Sequence, residues 1–112
     1  MIRENSYQLA YEAMLLAGRA LIFSFGFRPR ALGSHKIVVD FSKKTLGKEI
    51  RTLIFKFNKM RKTRHDLIYG TGLFISEIDS KNAILSSIKF LKYVIRFINE
   101  KKRKENINEL KN

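Results

Sequence analysis

The chain contains no cysteine and no tryptophan. Without cysteine there are no disulfides, no thiolate metal sites and no thiol nucleophile, and a reducing, cytoplasmic setting is expected. Proline occurs once, at Pro29, and so few breakers favour long elements over a fold of many short strands. The only histidines are His35 and His65. With no carboxylates at ligand spacing they predict no metal site, and no glycine-rich phosphate loop or other cofactor motif is present. Long apolar runs are also missing. The most apolar stretch, "AMLLAGRALIFSFGF" (residues 13–27), carries Arg19 and falls short of the roughly 20 residues that cross a bilayer. It is expected to be a core helix, with no membrane partner. The opening residues, "MIRENSYQLA", lack the basic-then-apolar layout of a secretory signal. Acidic residues are the last shortage: 10 against 23 basic ones, for a net charge of +13. Such a chain attracts polyanions, and nucleic acid, an acidic protein and an anionic surface all qualify.

What remains is a globular composition, 45% hydrophobic over 112 residues with nine phenylalanines, enough for one core. A single helical domain is expected over 1–112, with its core at about 6–98 and a polar, basic tail at about 99–112. Helical spacing of apolar residues predicts a first helix over 6–25. Tyr7, Ala10, Tyr11, Met14, Ala17, Gly18, Leu21 and Phe25 form one face, and Leu9, Ala13, Leu16 and Ala20 a second. A helix apolar on two faces is wedged between neighbours, or between a neighbour and a second subunit. A loop containing Gly26, Pro29 and Gly33 follows. Ser34 is placed to cap a second, shorter helix over 35–46, and Gly47 ends it. A third helix is expected over 48–69, stopped by "GTG" at 70–72. Asp79 is the expected cap of a fourth helix over 80–104, with Ile84, Ile88, Leu91, Ile95 and Ile98 as its buried stripe and "ENINELKN" fraying. The predicted class is all-α, an up-and-down antiparallel four-helix bundle with an additional short helix.

The stretch "KMRKTRHDLIYG" (residues 59–70) carries the most chemistry. At about 100° per residue, Arg61, Arg64 and His65 fall on the stripe formed by Ile50, Leu53, Ile54, Phe57 and Ile68. Lys59 and Lys62 fall on the opposite side as a solvated face. Arginine on a core stripe needs a partner charge, a wet cleft or an interface. One outcome is that both arginines pair with carboxylates, Glu12 being the candidate. The other is an anion pocket, since guanidinium forks bind phosphate bidentately. Tyr69 is expected to be a half-buried aromatic. Between Lys43 and Arg64 basic residues crowd around a single acid, Glu49, which makes a phosphate-tracking surface of Lys59, Lys62, Arg61 and Arg64 the functional alternative to a merely wet face. Phe55 is the outward aromatic expected there. "KKRK" at 101–104 suits a helix C-terminus as well as it suits a polyanion.

These pieces, in order, resemble the small prokaryotic HEPN domains. The resemblance runs from "SYQLAYEAMLLAGRALIFSFGFRP" through "SHKIVVDF" and "FNKMRKTRHDLIYG" to "ISEIDSKNAILSSIKFLKYVIRFI". It implies an all-α bundle that forms a homodimer, often paired with a small nucleotidyltransferase in toxin–antitoxin modules, with RNA or nucleotide phosphate bound in a basic dimer cleft. Active relatives act as metal-independent endoribonucleases through an arginine, four to six further residues and a histidine, usually with a tyrosine nearby. Carried over, Arg61 and Arg64 hold the scissile phosphate, His65 is the acid or base and Tyr69 is the nearby tyrosine. Here three residues separate Arg61 from His65, one fewer than in that pattern. Counting from Arg64 places Tyr69 at the histidine position, and a tyrosine of ordinary pKa about 10 is no neutral-pH base. Three readings follow: a phosphate-binding member of a toxin–antitoxin-type pair, an active endoribonuclease, and a structural or partner-binding bundle with internally paired arginines.

Overall fold

Few breakers and sustained helical spacing do produce helices. In a computed structural model, residues 2–28, 34–70 and 74–111 are described. They form α1 (Ile2–Ser24), α2 (His35–Leu46), a single 3₁₀ turn (Lys48–Ile50), α3 (Arg51–Ile68) and α4 (Glu77–Lys111). The expected loop residues Pro29 and Gly33, and Thr71 and Gly72 of "GTG", lie outside the described residues. No strand occurs among the described residues, and none of their helices is long and apolar enough to cross a membrane.

Boundaries follow local chemistry. Ser34 stands at the N-cap of α2, and Gly47 closes it at φ 82°, a backbone conformation that only glycine adopts without cost. The cap of α4 is Ser76, not the expected Asp79. The Asp79 N–H donates to Ser76 Oγ (3.0 Å) and the Ser76 N–H donates to Asp79 Oδ2 (3.5 Å). This reciprocal box satisfies two end donors and starts the helix three residues early. At the other end α4 does not fray after residue 104. It continues as helix to Lys111, with the helix formers Glu105, Glu109, Leu110 and Lys111 and the support of the Lys101–Glu105 pair.

The core is a ladder of rings and aliphatics. Tyr11 packs on Phe57 (centroids 5.8 Å) and Phe57 on Phe90 (5.2 Å), with Met14, Leu15, Leu21, Val38, Ile54 and Val94 buried around them. Gly18 lets α2 approach α1, because a Cβ there would run into Val38 Cγ1.

The helices do not alternate in direction, which corrects the expected up-and-down order. Near the start of α1, Tyr7 shares a cleft with Ala83 and Ser86 of α4. Near its end, Phe25 stacks on Phe97 (6.5 Å), and Lys101 Nζ donates to Ser24 O (3.0 Å). Thus α4 runs in the same sense as α1. So does α2, which meets α1 through His35 at Tyr11, Val38 at Gly18 and Phe41 at Phe25. Only α3 runs the other way, from Phe57 beside Gly18 to Arg64 beside Glu12.

The apolar stripe expected on α4 is also reassigned. Ile84, Ile88 and Ile95 are solvent-exposed, while Ser80, Ala83, Ser86, Ser87, Phe90 and Val94 are buried. Small side chains line this face, and the Ser87 hydroxyl is satisfied within its own helix by Ile84 O (2.7 Å).

Candidate functional site

The cationic stretch of α3 meets α1 and α2 at one place. Arg64 Nη2 lies 3.3 Å from Glu12 Oε1, and the Arg64 guanidinium stands 6.0 Å from the centroid of the Tyr11 ring. The pairing of Glu12 with an arginine of the third helix is therefore as expected. It does not use up the guanidinium: Arg64 Nε is buried and has no hydrogen-bond partner among the described residues. Arg61 is half-buried, and its Nε and Nη2 both donate to Asn58 Oδ1 (3.1 Å each). That acceptor is neutral, so the Arg61 charge is held in place without being cancelled.

The sequence reading missed the centre of this cluster. The Tyr11 hydroxyl and His35 Nδ1 are 2.9 Å apart. Burial pushes the Tyr11 phenol up to about 12, so it keeps its proton. Burial holds His35 below its ordinary value, and Arg64, Arg19 and Arg61 add to that, with Glu12 opposing. The signal for this pair was thin. Tyr11 sits on the inward stripe of α1 and His35 begins α2, but they lie 24 positions apart.

The six candidates of α3 are divided by the fold. Arg61 and Arg64 are half-buried, on the side of Tyr11 and Asn58. Lys62 is exposed, and Lys59 is exposed along the α3–α4 cleft. His65 does not join the arginines on a buried stripe. It is exposed, and its ring packs on Tyr69 with centroids 4.6 Å apart. Tyr69 is 71% exposed rather than half-buried. The cause is which side of the last turn is packed: Leu67 lies against the core, while Ile68, on the expected stripe, is 49% exposed. The cluster can therefore hold an anion at Arg61 and Arg64, while within one chain no imidazole stands beside them except His35.

Among the described residues no group of three histidine, aspartate or glutamate side chains forms a metal cage. No protein-family model, curated protein or solved structure matches this chain.

Proposed function

We propose that this protein is a HEPN-like, non-catalytic phosphate-binding module that takes RNA or nucleotide phosphate at Arg61 and Arg64, within a toxin–antitoxin-type pair with a nucleotidyltransferase. The observation that carries the phosphate reading is the state of the two guanidiniums: Arg61 is held by the neutral Asn58 amide, and Arg64, beside Glu12, keeps a buried Nε with no partner among the described residues. A phosphate offers the oxygens that a guanidinium fork fits, and the +13 charge draws polyanions to it. The nucleotidyltransferase partner rests on the order of sequence motifs alone.

Pairing of two copies belongs to the same reading. Leu9 and Leu16 are 69% and 63% exposed, and with Ala13, Ala20 and Phe23 they make an apolar row opposite the core face of α1. The row itself holds no charged residue, and the charges of α1 are two of each sign, Arg3 and Arg19 with Glu4 and Glu12, so two copies of a strongly basic chain can meet there with little like-charge repulsion. Glu12 and Arg19 flank that row, which brings the arginine cluster to the seam.

Fluorescence anisotropy with a labelled RNA oligonucleotide tests the site. Arg64→Ala should weaken binding about tenfold or more, the usual scale for a lost charged hydrogen bond. Glu12→Gln should strengthen it by releasing Arg64. Equal binding by wild type and Arg64→Ala, with both folded by circular dichroism, would sink the proposal. Metal-independent RNA cleavage that is lost in His65→Ala would replace it with the endoribonuclease reading.

A further inference from the structure

One row of side chains along α3 and its C-terminal cap lies outside the core, and only Asn58 in it touches the arginine cluster. Arg51, Phe55, Asn58, Lys62, His65 and Tyr69 follow one another at alternating steps of four and three residues, which keeps them on one face of a helix. Over 18 residues at about 1.5 Å each the row is roughly 27 Å long. Phe55 is 70% exposed, Arg51, Lys62 and His65 are exposed, and Tyr69 leans on His65. Exposed rings therefore alternate with cations.

Beside the N-terminal half of the row lies a cleft of about 730 Å³ between α2 and α3. Lys43, Lys44, Lys48 and Arg51 line it with a single acid, Asp40, and Phe55 stands among them. Asn58 connects the two regions, since it lines the cleft and also holds the Arg61 guanidinium.

We propose that the outer face of α3, together with the α2–α3 cleft, is a track for single-stranded nucleic acid. Phe55 and the His65–Tyr69 ring pair stack on bases, while the cations between and beside them hold phosphates. This rests on the phosphate-binding reading and names its ligand class. Cations alone would take any polyanion. Exposed rings between cations add something only a single strand can use: unpaired bases present their faces, and stacking tolerates any sequence. A duplex keeps its base faces covered, and the major groove of double-stranded RNA is too deep and narrow for side chains to read. A lipid surface would call for contiguous apolar residues, and here each ring or ring pair is set apart by polar and charged side chains.

The test uses the full chain and four probes: single-stranded RNA, single-stranded DNA of the same sequence, the RNA duplex and inorganic polyphosphate. The two single strands separate RNA from DNA as the source, and preference for either over the duplex supports the track. Phe55→Ala and Tyr69→Ala should each weaken single-strand binding by roughly 5- to 150-fold, the range for one lost stacking contact, and leave polyphosphate binding unchanged. Phe55→Tyr should restore it. Lys62→Ala should lower affinity for all four probes and reduce the salt slope by about one. If duplex and polyphosphate bind as tightly as single strands and Phe55→Ala changes nothing, the track is overturned while phosphate binding stands. If no probe binds, both fall.

Discussion

Tyr11 and His35 meet at 2.9 Å beside the Arg64 guanidinium, and the burial of His35 there makes the protein pH-sensitive in a defined direction. Folded His35 binds its proton less readily than the ordinary 6.5, because burial and the arginines oppose a second charge. The unfolded chain, with no such opposition, takes up the proton first as the pH falls. Between 6.5 and the lower folded value the unfolded state holds more protons, so stability rises with pH across that window. We expect the melting temperature to be highest above about pH 6.5, to fall as the pH drops through it, and to level off once folded His35 also titrates. Thermal melts of wild type and His35→Gln from pH 7.5 to 5 isolate the effect, as the difference between the two curves removes every other titrating group. Parallel curves would show that His35 titrates alike in both states. None of this was visible in "SHK", because the partner that defines His35 lies on another helix.

At Gly18, α1 lies close against α2. Helix propensity favours alanine there by about 1 kcal/mol. Against that, the new methyl would overlap Val38 Cγ1 and lie 3.3 Å from Ser42 Oγ. Val38 is β-branched and has little rotamer freedom in a helix, so α2 itself must shift, and overpacking of this kind costs about 1–3 kcal/mol. Gly18→Ala should therefore be net destabilising by on the order of 1 kcal/mol, read as a lower urea midpoint at unchanged slope. A raised midpoint would mean that α2 yields easily. The same close packing explains α4. Its buried face is built from Ser80, Ala83, Ser86 and Ser87 as well as Phe90 and Val94, and the isoleucines go outward. Apolar periodicity named the isoleucine row because both rows recur at helical spacing, and hydrophobicity alone ranks isoleucine above serine.

In the assembled fold, apolar rows on α1 and α4 remain in solvent, while positive charge concentrates on α2, α3 and the far end of α4. Leu16 is 63% exposed, so changing it leaves the core intact. Light scattering should give the wild type a mass of twice 13.1 kDa, and Leu16→Glu should return it to a single chain without loss of helical circular dichroism. A wild type that stays monomeric at every concentration tested would remove the α1 row as a pairing surface. The cluster at Arg64 would then have to bind phosphate from one chain only. Tighter nucleic-acid binding by the dimer than by Leu16→Glu would place the arginines of both copies at one seam.

Several features are local and were legible along the chain. The all-helical class, α2 over His35–Leu46, the end of α1 before Gly26 and the excess of positive charge depend on periodicity, breakers and composition, which act over a few residues. The reach of Glu12 to an arginine of α3 was legible for a related reason: charges are so scarce on α1 that few partners existed. Contacts between distant residues decided the rest. Three helices run in one sense because α2 returns to the level of Tyr11, and no local propensity encodes a helix direction. His65 leaves the arginines because the last turn of α3 packs through Leu67 and not through Ile68, and the angle of a residue on its helix cannot reveal which side a neighbour will cover. The side chains of "KMRKTRHDLIYG" therefore divide, Arg61 and Arg64 toward the Tyr11–His35 side and Lys62, His65 and Tyr69 toward solvent, and packing alone divides them.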